Sequence, residues 1–188
     1  MNIIPLIELN NKKIQNSELL EKLNEDDSLY VIDIDGIKKN KSNLDIYQNL
    51  SKKYQIFIDN APRTLGDIVD VFMTGAQNII LRKTYYPHIK LESIREITEN
   101  KIYANIEIND QTEFYDDFFF EGVDGLINFY SREELENAFK KMEAIKNIST
   151  KNKTYIYENN KKNIDYWNKF NPECFLVDIS KYWEFKQI

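Results

Sequence analysis

A chain of 188 residues suits one domain or two small ones, and at this length folding buries about 70% of the unfolded surface. Its 31 acidic residues outnumber 25 basic ones, giving a net charge of −6 and a pI near 5.0, a balance that gives no electrostatic reason to bind a polyanion such as nucleic acid. A lone cysteine, Cys174, excludes an internal disulfide; no apolar run approaches the roughly 18 residues of a membrane span; and the N-terminus lacks the basic start and cleavage site of a signal peptide, so a cytoplasmic location is expected.

Short β-rich runs alternate with helical periodicity along the chain. The first run is Asn2 to Leu9, followed by apolar residues at helical spacing from Ser17 to Leu23. The second run is Leu29 to Ile37, with a short helix over Ser42 to Ser51. The third, Tyr54 to Asp59, precedes a helix opened by Thr64, in which Leu65, Ile68, Val69 and Phe72 share a face and Gly75 supplies the stop. The fourth, Asn78 to Lys83, precedes a helix over Lys90 to Thr98. The fifth, Lys101 to Ile108, leads into an aromatic-rich helix near Thr112 to Phe120. The sixth, Gly125 to Tyr130, is followed by a helix that Ser131 and Glu134 open as a capping box, with Leu135, Ala138, Phe139 and Met142 as its apolar stripe. The seventh, Lys153 to Glu158, precedes a short helix from Ile164 to Phe170, and the eighth is Cys174 to Ile179.

Strands alternating with helices indicate parallel βαβ units, and eight such units close naturally into a barrel. The expectation is a compact (β/α)8 TIM barrel with shortened helices and loops, occupying residues 1–188 as a single domain. An open doubly wound sheet is the competing architecture.

Three segments carry a family resemblance. MNIIPLIELNNKKI resembles the opening of the phosphoribosyl-formimino-aminoimidazole-carboxamide ribotide isomerases, the HisA/HisF-related barrels of histidine biosynthesis. SLYVIDIDGI is similar to their second strand, and IDNAPRTLGDIVDVFMTGAQNIIL to their third strand, third helix and fourth strand. The likeness is clear over Met1 to Asn109 and fades beyond, and within that superfamily the chain resembles the HisA-related barrels of methanogens and methylotrophs. It implies an Amadori-type rearrangement of a sugar phosphate, with carboxylates on the first and fifth strands as general acid and base. The matching positions are Glu8 and Glu107, both Glu where the family has Asp, which sets each carboxyl one methylene further out. The family also grips two phosphates with glycine-rich turns. Here Asp59-Asn60-Ala61, Arg82-Lys83, Glu158-Asn159-Asn160 and Asp178-Ile179-Ser180 stand in those places. Backbone N–H groups bind phosphate best without competing carboxylates, so the bisphosphate sites are expected to be lost.

Strand ends at the C-terminal mouth of such a barrel are the usual active-site positions. They are Glu8, Asp33, Asp35, Asp59, Lys83, Glu107, Asn128, Glu158 and Asp178. Three readings follow. In an isomerase or lyase, Glu8 and Glu107 transfer protons while Lys83 neutralises an anionic intermediate or, if desolvated, forms a Schiff base; no cofactor is then required. In a metal-dependent variant, Asp33, Asp35 and Asp59 offer hard oxygen ligands to a divalent ion, whereas zinc-type HxxH or CxxC spacing is missing. In a non-catalytic barrel, the acids pair with Lys83, Arg82 and Arg63, the remaining mouth residues hold a small molecule, or the surface meets a protein partner or a second copy.

Other features read as structure. His88 belongs on the surface of a strand-to-helix loop, the Lys-rich stretches in solvated loops, and Cys174 in the core as an inert thiol. Phe114, Tyr115, Phe118, Phe119 and Phe120, rimmed by Asp116, Asp117 and Glu121, suit helix packing or a partner contact. Tyr182, Trp183 and Phe185 are expected to cover the barrel bottom or join that contact.

Overall fold

The computed structural model describes residues 1–88, 90–108 and 122–187. Among them, nine strands form one sheet: β1 (Ile3–Asn10), β2 (Lys13–Ile14), β3 (Ser28–Asp33), β4 (Gln55–Asp59), β5 (Asn78–Leu81), β6 (Lys101–Asn105), β7 (Gly125–Asn128), β8 (Thr154–Tyr157) and β9 (Cys174–Asp178). Leaving aside β2, each strand from β1 to β9 pairs in parallel with the next, and β9 returns to β1 with Ile3 beside Phe175 and Leu6 beside Asp178. The sheet is thus a closed eight-stranded parallel barrel, and the open doubly wound alternative is excluded. No helix among the described residues is long and apolar enough to cross a membrane.

Helices run between the strands: α1 (Ile34–Lys39), α2 (Leu44–Ser51), α3 (Leu65–Met73), α4 (Leu91–Arg95), α5 (Arg132–Glu136), α6 (Phe139–Lys151) and α7 (Ile164–Asn168), with α8 (Ile179–Lys186) after the last strand. Their starts follow local chemistry. Thr64 and Asp67 cap α3 reciprocally, as Ser131 and Glu134 cap α5, and Gly75 stops α3 with a φ of 89°. The predicted helix Thr112 to Phe120, with its aromatic cluster Phe114, Tyr115, Phe118, Phe119 and Phe120 and the acids Asp116, Asp117 and Glu121, lies outside the described residues.

The strands alternate strictly between two cores, as side chains of a pleated strand must. One set fills the barrel: Ile4, Leu6, Tyr30, Phe57, Ile80, Tyr103, Ile127, Tyr155, Cys174 and Leu176. Phe57, Tyr103 and Tyr155 meet there with ring centroids 5.1 to 6.4 Å apart. The other set faces the helices. Ile7, Val31, Ile58 and Ile79 pack on Tyr47, Ile68, Val71 and Ile94, while Ala104, Leu126, Ile156 and Val177 pack on Leu135, Ile145, Ile148, Trp167 and Phe185. A fully buried residue of this size contributes roughly 1.5–3 kcal/mol, so each helix is held mainly by the one to three residues that it buries.

Several expectations are corrected. The second strand ends at Asp33 rather than Ile37, because the Asp33 carboxylate accepts from the N–H groups of Asp35 and Gly36 and starts α1 there. The helix after β7 breaks at Asn137 and Ala138 into α5 and α6, so Phe139 is 69% exposed instead of joining the apolar stripe. Tyr182 and Phe185 are buried on α8, which packs beside β1 and β9, so they line the barrel wall rather than cover its bottom. Two other expectations hold: Cys174 is buried inside the barrel, where burial pushes its thiol up to about 12, and His88 is exposed.

At the mouth, α1 presses against the turn after β4. A Cβ on Gly36 would stand 2.8 Å from the Asn60 carbonyl oxygen and 2.9 Å from the Asn60 Cβ. Gly36→Ala must therefore displace backbone, and a loss of about 1–3 kcal/mol in urea unfolding is expected; an unchanged midpoint would show that the close approach is not needed.

Candidate functional site

The barrel's inner layer of Leu6, Tyr30, Phe57, Ile80, Tyr103, Ile127, Tyr155 and Leu176 fixes which residues look into the mouth. Two positions further along each strand stand Glu8, Ile32, Asp59, Arg82, Asn105, Phe129, Tyr157 and Asp178. Glu107 follows one more step along from Asn105. Glu8 and Glu107 extend from β1 and β6, which are diametrically opposed in the eight-strand order, at the same end of the barrel.

One half of this layer holds a buried ion pair. Arg82 Nε and Nη2 donate to the two carboxylate oxygens of Asp59, both at 2.7 Å, and Tyr30 Oη donates to the same carboxylate at 2.9 Å. Asp59 is fully buried. Burial pushes the Arg82 guanidinium down, but the Asp59 charge outweighs it and holds the group above its ordinary range. Burial, reinforced by Asp59, raises Tyr30 far above a free phenol. The Asn105 amide fits with its oxygen accepting from Arg82 Nη1 and its nitrogen donating to the Ile127 carbonyl, both at 3.3 Å. Above the pair, Glu107 accepts the Thr84 N–H at 2.8 Å.

The other half is open. A cavity of about 280 Å³ is lined by Leu6, Ile7, Glu8, Gln15, Asn16, Ile32, Phe129, Tyr157, Asp178, Ile179 and Ser180. Gln15 reaches it because Asn11 and Lys12, with φ of 51° and 60°, turn the β1–β2 hairpin back over the mouth. Gln15 Nε2 then donates to Glu8 at 2.9 Å. Tyr157 Oη lies 3.2 Å from both Asp178 oxygens, and Asn159 also donates to Asp178. Burial and then the Asp178 charge push the Tyr157 phenol up to about 12. Phe129 divides the halves: its ring lies 5.3 Å from that of Tyr157, 6.0 Å from that of Tyr30 and 5.8 Å from the Arg82 guanidinium.

The remaining strand-end residues point elsewhere. Asp33 is buried on the helix side of β3, bound by Asn43 and Tyr47 and capping α1. Asp35 lies in α1, where the Lys39 ammonium and the Lys12 N–H hold its carboxyl below the ordinary carboxylate range. Asn128 closes a turn with the Tyr130 backbone. Glu158 accepts from Asn160 N, Asn163 Nδ2 and Trp167 Nε1, tying down the start of α7. Lys83 is half-buried in the turn after β5. Asp33 and Asp35 do not converge with Asp59, and no metal-holding group of three or more His, Cys, Asp or Glu exists among the described residues.

Of the residues singled out from sequence, the mouth thus gathers Glu8 and Asp178 on one cavity, with Asp59 and Glu107 across Phe129. The pairing of an acid with Arg82 is as expected, while Asn105, Phe129 and Tyr157 are interior groups that only strand parity finds. Fold and site together define a closed parallel α/β barrel with an acidic mouth. No protein-family model matches the sequence, and no curated protein matches it significantly.

Arg82→Met leaves Asp59 buried and uncompensated, and should cost about 3–5 kcal/mol in chemical unfolding, with the Arg82→Met, Asp59→Leu double variant recovering most of it. Equal losses in single and double variants would show that the charge is not what matters. The raised Tyr157 phenol favours the folded state fully below the ordinary tyrosine value of about 10, and that contribution fades as pH climbs through about 12. Urea midpoints should therefore fall above about pH 10, and fall less steeply in Tyr157→Phe; identical slopes would refute this origin.

Proposed function

We propose that the chain is a single-domain, divergent TIM barrel of the histidine-biosynthesis isomerase type that binds a small molecule in its mouth without the family's two-carboxylate chemistry. The observation that carries this reading is the separation of Glu8 from Glu107. Glu8 lines the cavity, whereas Glu107 is absent from that lining, accepts the Thr84 N–H, and acts electrostatically on Arg82 of the Asp59–Arg82 pair. General acid and base must reach the same substrate, and misplacement by about 1 Å already costs on the order of a hundredfold in rate.

Two local features support the family reading and the loss of its phosphate sites. Ala61 has a φ of 52°, a left-handed conformation that glycine adopts without penalty, at the place where the resemblance puts a Gly-Gly pair. Asn60 and Ala61 are 2% and 1% exposed, so their backbone is covered rather than offered to an anion. Asp178 stands at the start of α8, where a second phosphate would meet its carboxylate.

The test is protein-observed NMR with a mixed set of small molecules and ribose phosphates, followed by turnover assays on aminated ribose phosphates. Shifts should centre on Ile32, Phe129 and Tyr157, ribose phosphates should cause none, and no turnover should occur. Isomerisation that falls by about a hundredfold or more in both Glu8→Gln and Glu107→Gln would establish the acid–base pair and overturn the proposal.

A further inference from the structure

We infer that the mouth cavity is a site for a small organic ammonium ion, an amine on a short apolar stem; this rests on the ligand-binding reading above and specifies its ligand. The cavity has two unlike sides. Glu8 and Asp178 supply two carboxylates from neighbouring strands, beside the Tyr157 hydroxyl and the Gln15 amide. Leu6, Ile32 and the Phe129 ring supply an apolar wall.

Charge compensation separates this half of the mouth from the other. Asp59 is matched by Arg82. Among the described residues neither Glu8 nor Asp178 joins an ion pair; Glu8 accepts from the Asn10 and Gln15 amides, and Asp178 from Tyr157, Asn159 and no cation. Neutral donors of this kind orient a carboxylate without cancelling its charge, so the cavity keeps a negative potential that repels anions and attracts cations. A metal ion is a poor match, because hard divalent ions take six or more oxygens and no set of three acids is gathered here among the described residues.

An ammonium suits the walls as well as the charge. The Phe129 and Tyr157 rings lie 5.3 Å apart and both face the cavity, and a cation within about 6 Å of a ring centroid gains from the π face. At about 280 Å³ the space falls just under the usual range of roughly 300–1,000 Å³ for ligand sites, which restricts the ligand to a short chain. The ammonium would donate to Glu8 and Asp178 while its stem covers Ile32 and Leu6.

Titration of the full chain with butylamine, butanol, butyrate and inorganic phosphate, followed by calorimetry and NMR, tests this. Butylamine should bind and should weaken with added salt, and butanol, butyrate and phosphate should not compete. Glu8 is half-buried and Gln keeps its size and hydrogen bonding, so Glu8→Gln should fold normally and weaken butylamine by about tenfold or more, the value of one charged hydrogen bond. Glu107→Gln, across Phe129, should leave it unchanged. Butanol binding as well as butylamine, or indifference to Glu8→Gln, would overturn the ammonium assignment while leaving a ligand site in the mouth. Binding of butyrate or phosphate in preference would overturn it too. Failure of every probe here, and of every compound in the broader set, to move the signals of Ile32, Phe129 and Tyr157 would end both readings.

Discussion

Asp59 and Arg82 meet inside a barrel whose other interior contacts are largely aromatic and aliphatic, and the arrangement of the mouth follows from that meeting. A carboxylate with no solvent contact is costly unless matched in charge and fully hydrogen-bonded. The bidentate fork of Arg82 supplies two bonds in the planar geometry that suits a carboxylate, and Tyr30 supplies a third. Satisfying Asp59 commits Arg82 to one side of the barrel. Phe129 then settles over the guanidinium, and its far face becomes a wall of the cavity. Removing the pair would alter the wall as well as the charge, so stability and ligand space are coupled through Phe129.

Much of the barrel is legible in the sequence because each crossover carries its own start signal. Thr64 with Asp67, and Ser131 with Glu134, announce α3 and α5 without reference to the rest of the chain. Strand ends are harder. In a parallel barrel both faces of every strand are buried, so runs such as LYVI and GLI are apolar at every position and do not reveal which phase points inward. Asp33, Asn128 and Glu158 therefore look like mouth residues, yet each lies on the phase facing the helices. Their polar groups satisfy cap and turn N–H groups there, which is why the sequence needs polarity at those places. The reverse ambiguity hides Arg82 behind its neighbour Lys83.

The resemblance illustrates a similar division. Its segments cover strand cores and the DGI and APRT turns, which set backbone path. Gly36 within one of them is required by the close approach of Asn60, a packing reason that holds whatever the barrel does. Likeness at such positions therefore argues for similar backbone geometry, and only loosely for similar chemistry.

Electrostatics connects the two halves of the mouth to what it can hold. Four carboxylates ring the upper layers, Glu8, Asp59, Glu107 and Asp178, and Arg82 is spent on Asp59 while also feeling Glu107. The region around Glu8 and Asp178 is left with negative charge held by neutral donors, in a concave site where low-dielectric walls focus the field. A phosphate entering there would need convergent N–H groups and would instead meet Asp178 at the head of α8. The burial of Asn60 and Ala61 covers their backbone donors, and the carboxylates at the strand ends set the sign of the field, so both features disfavour an anion in this mouth.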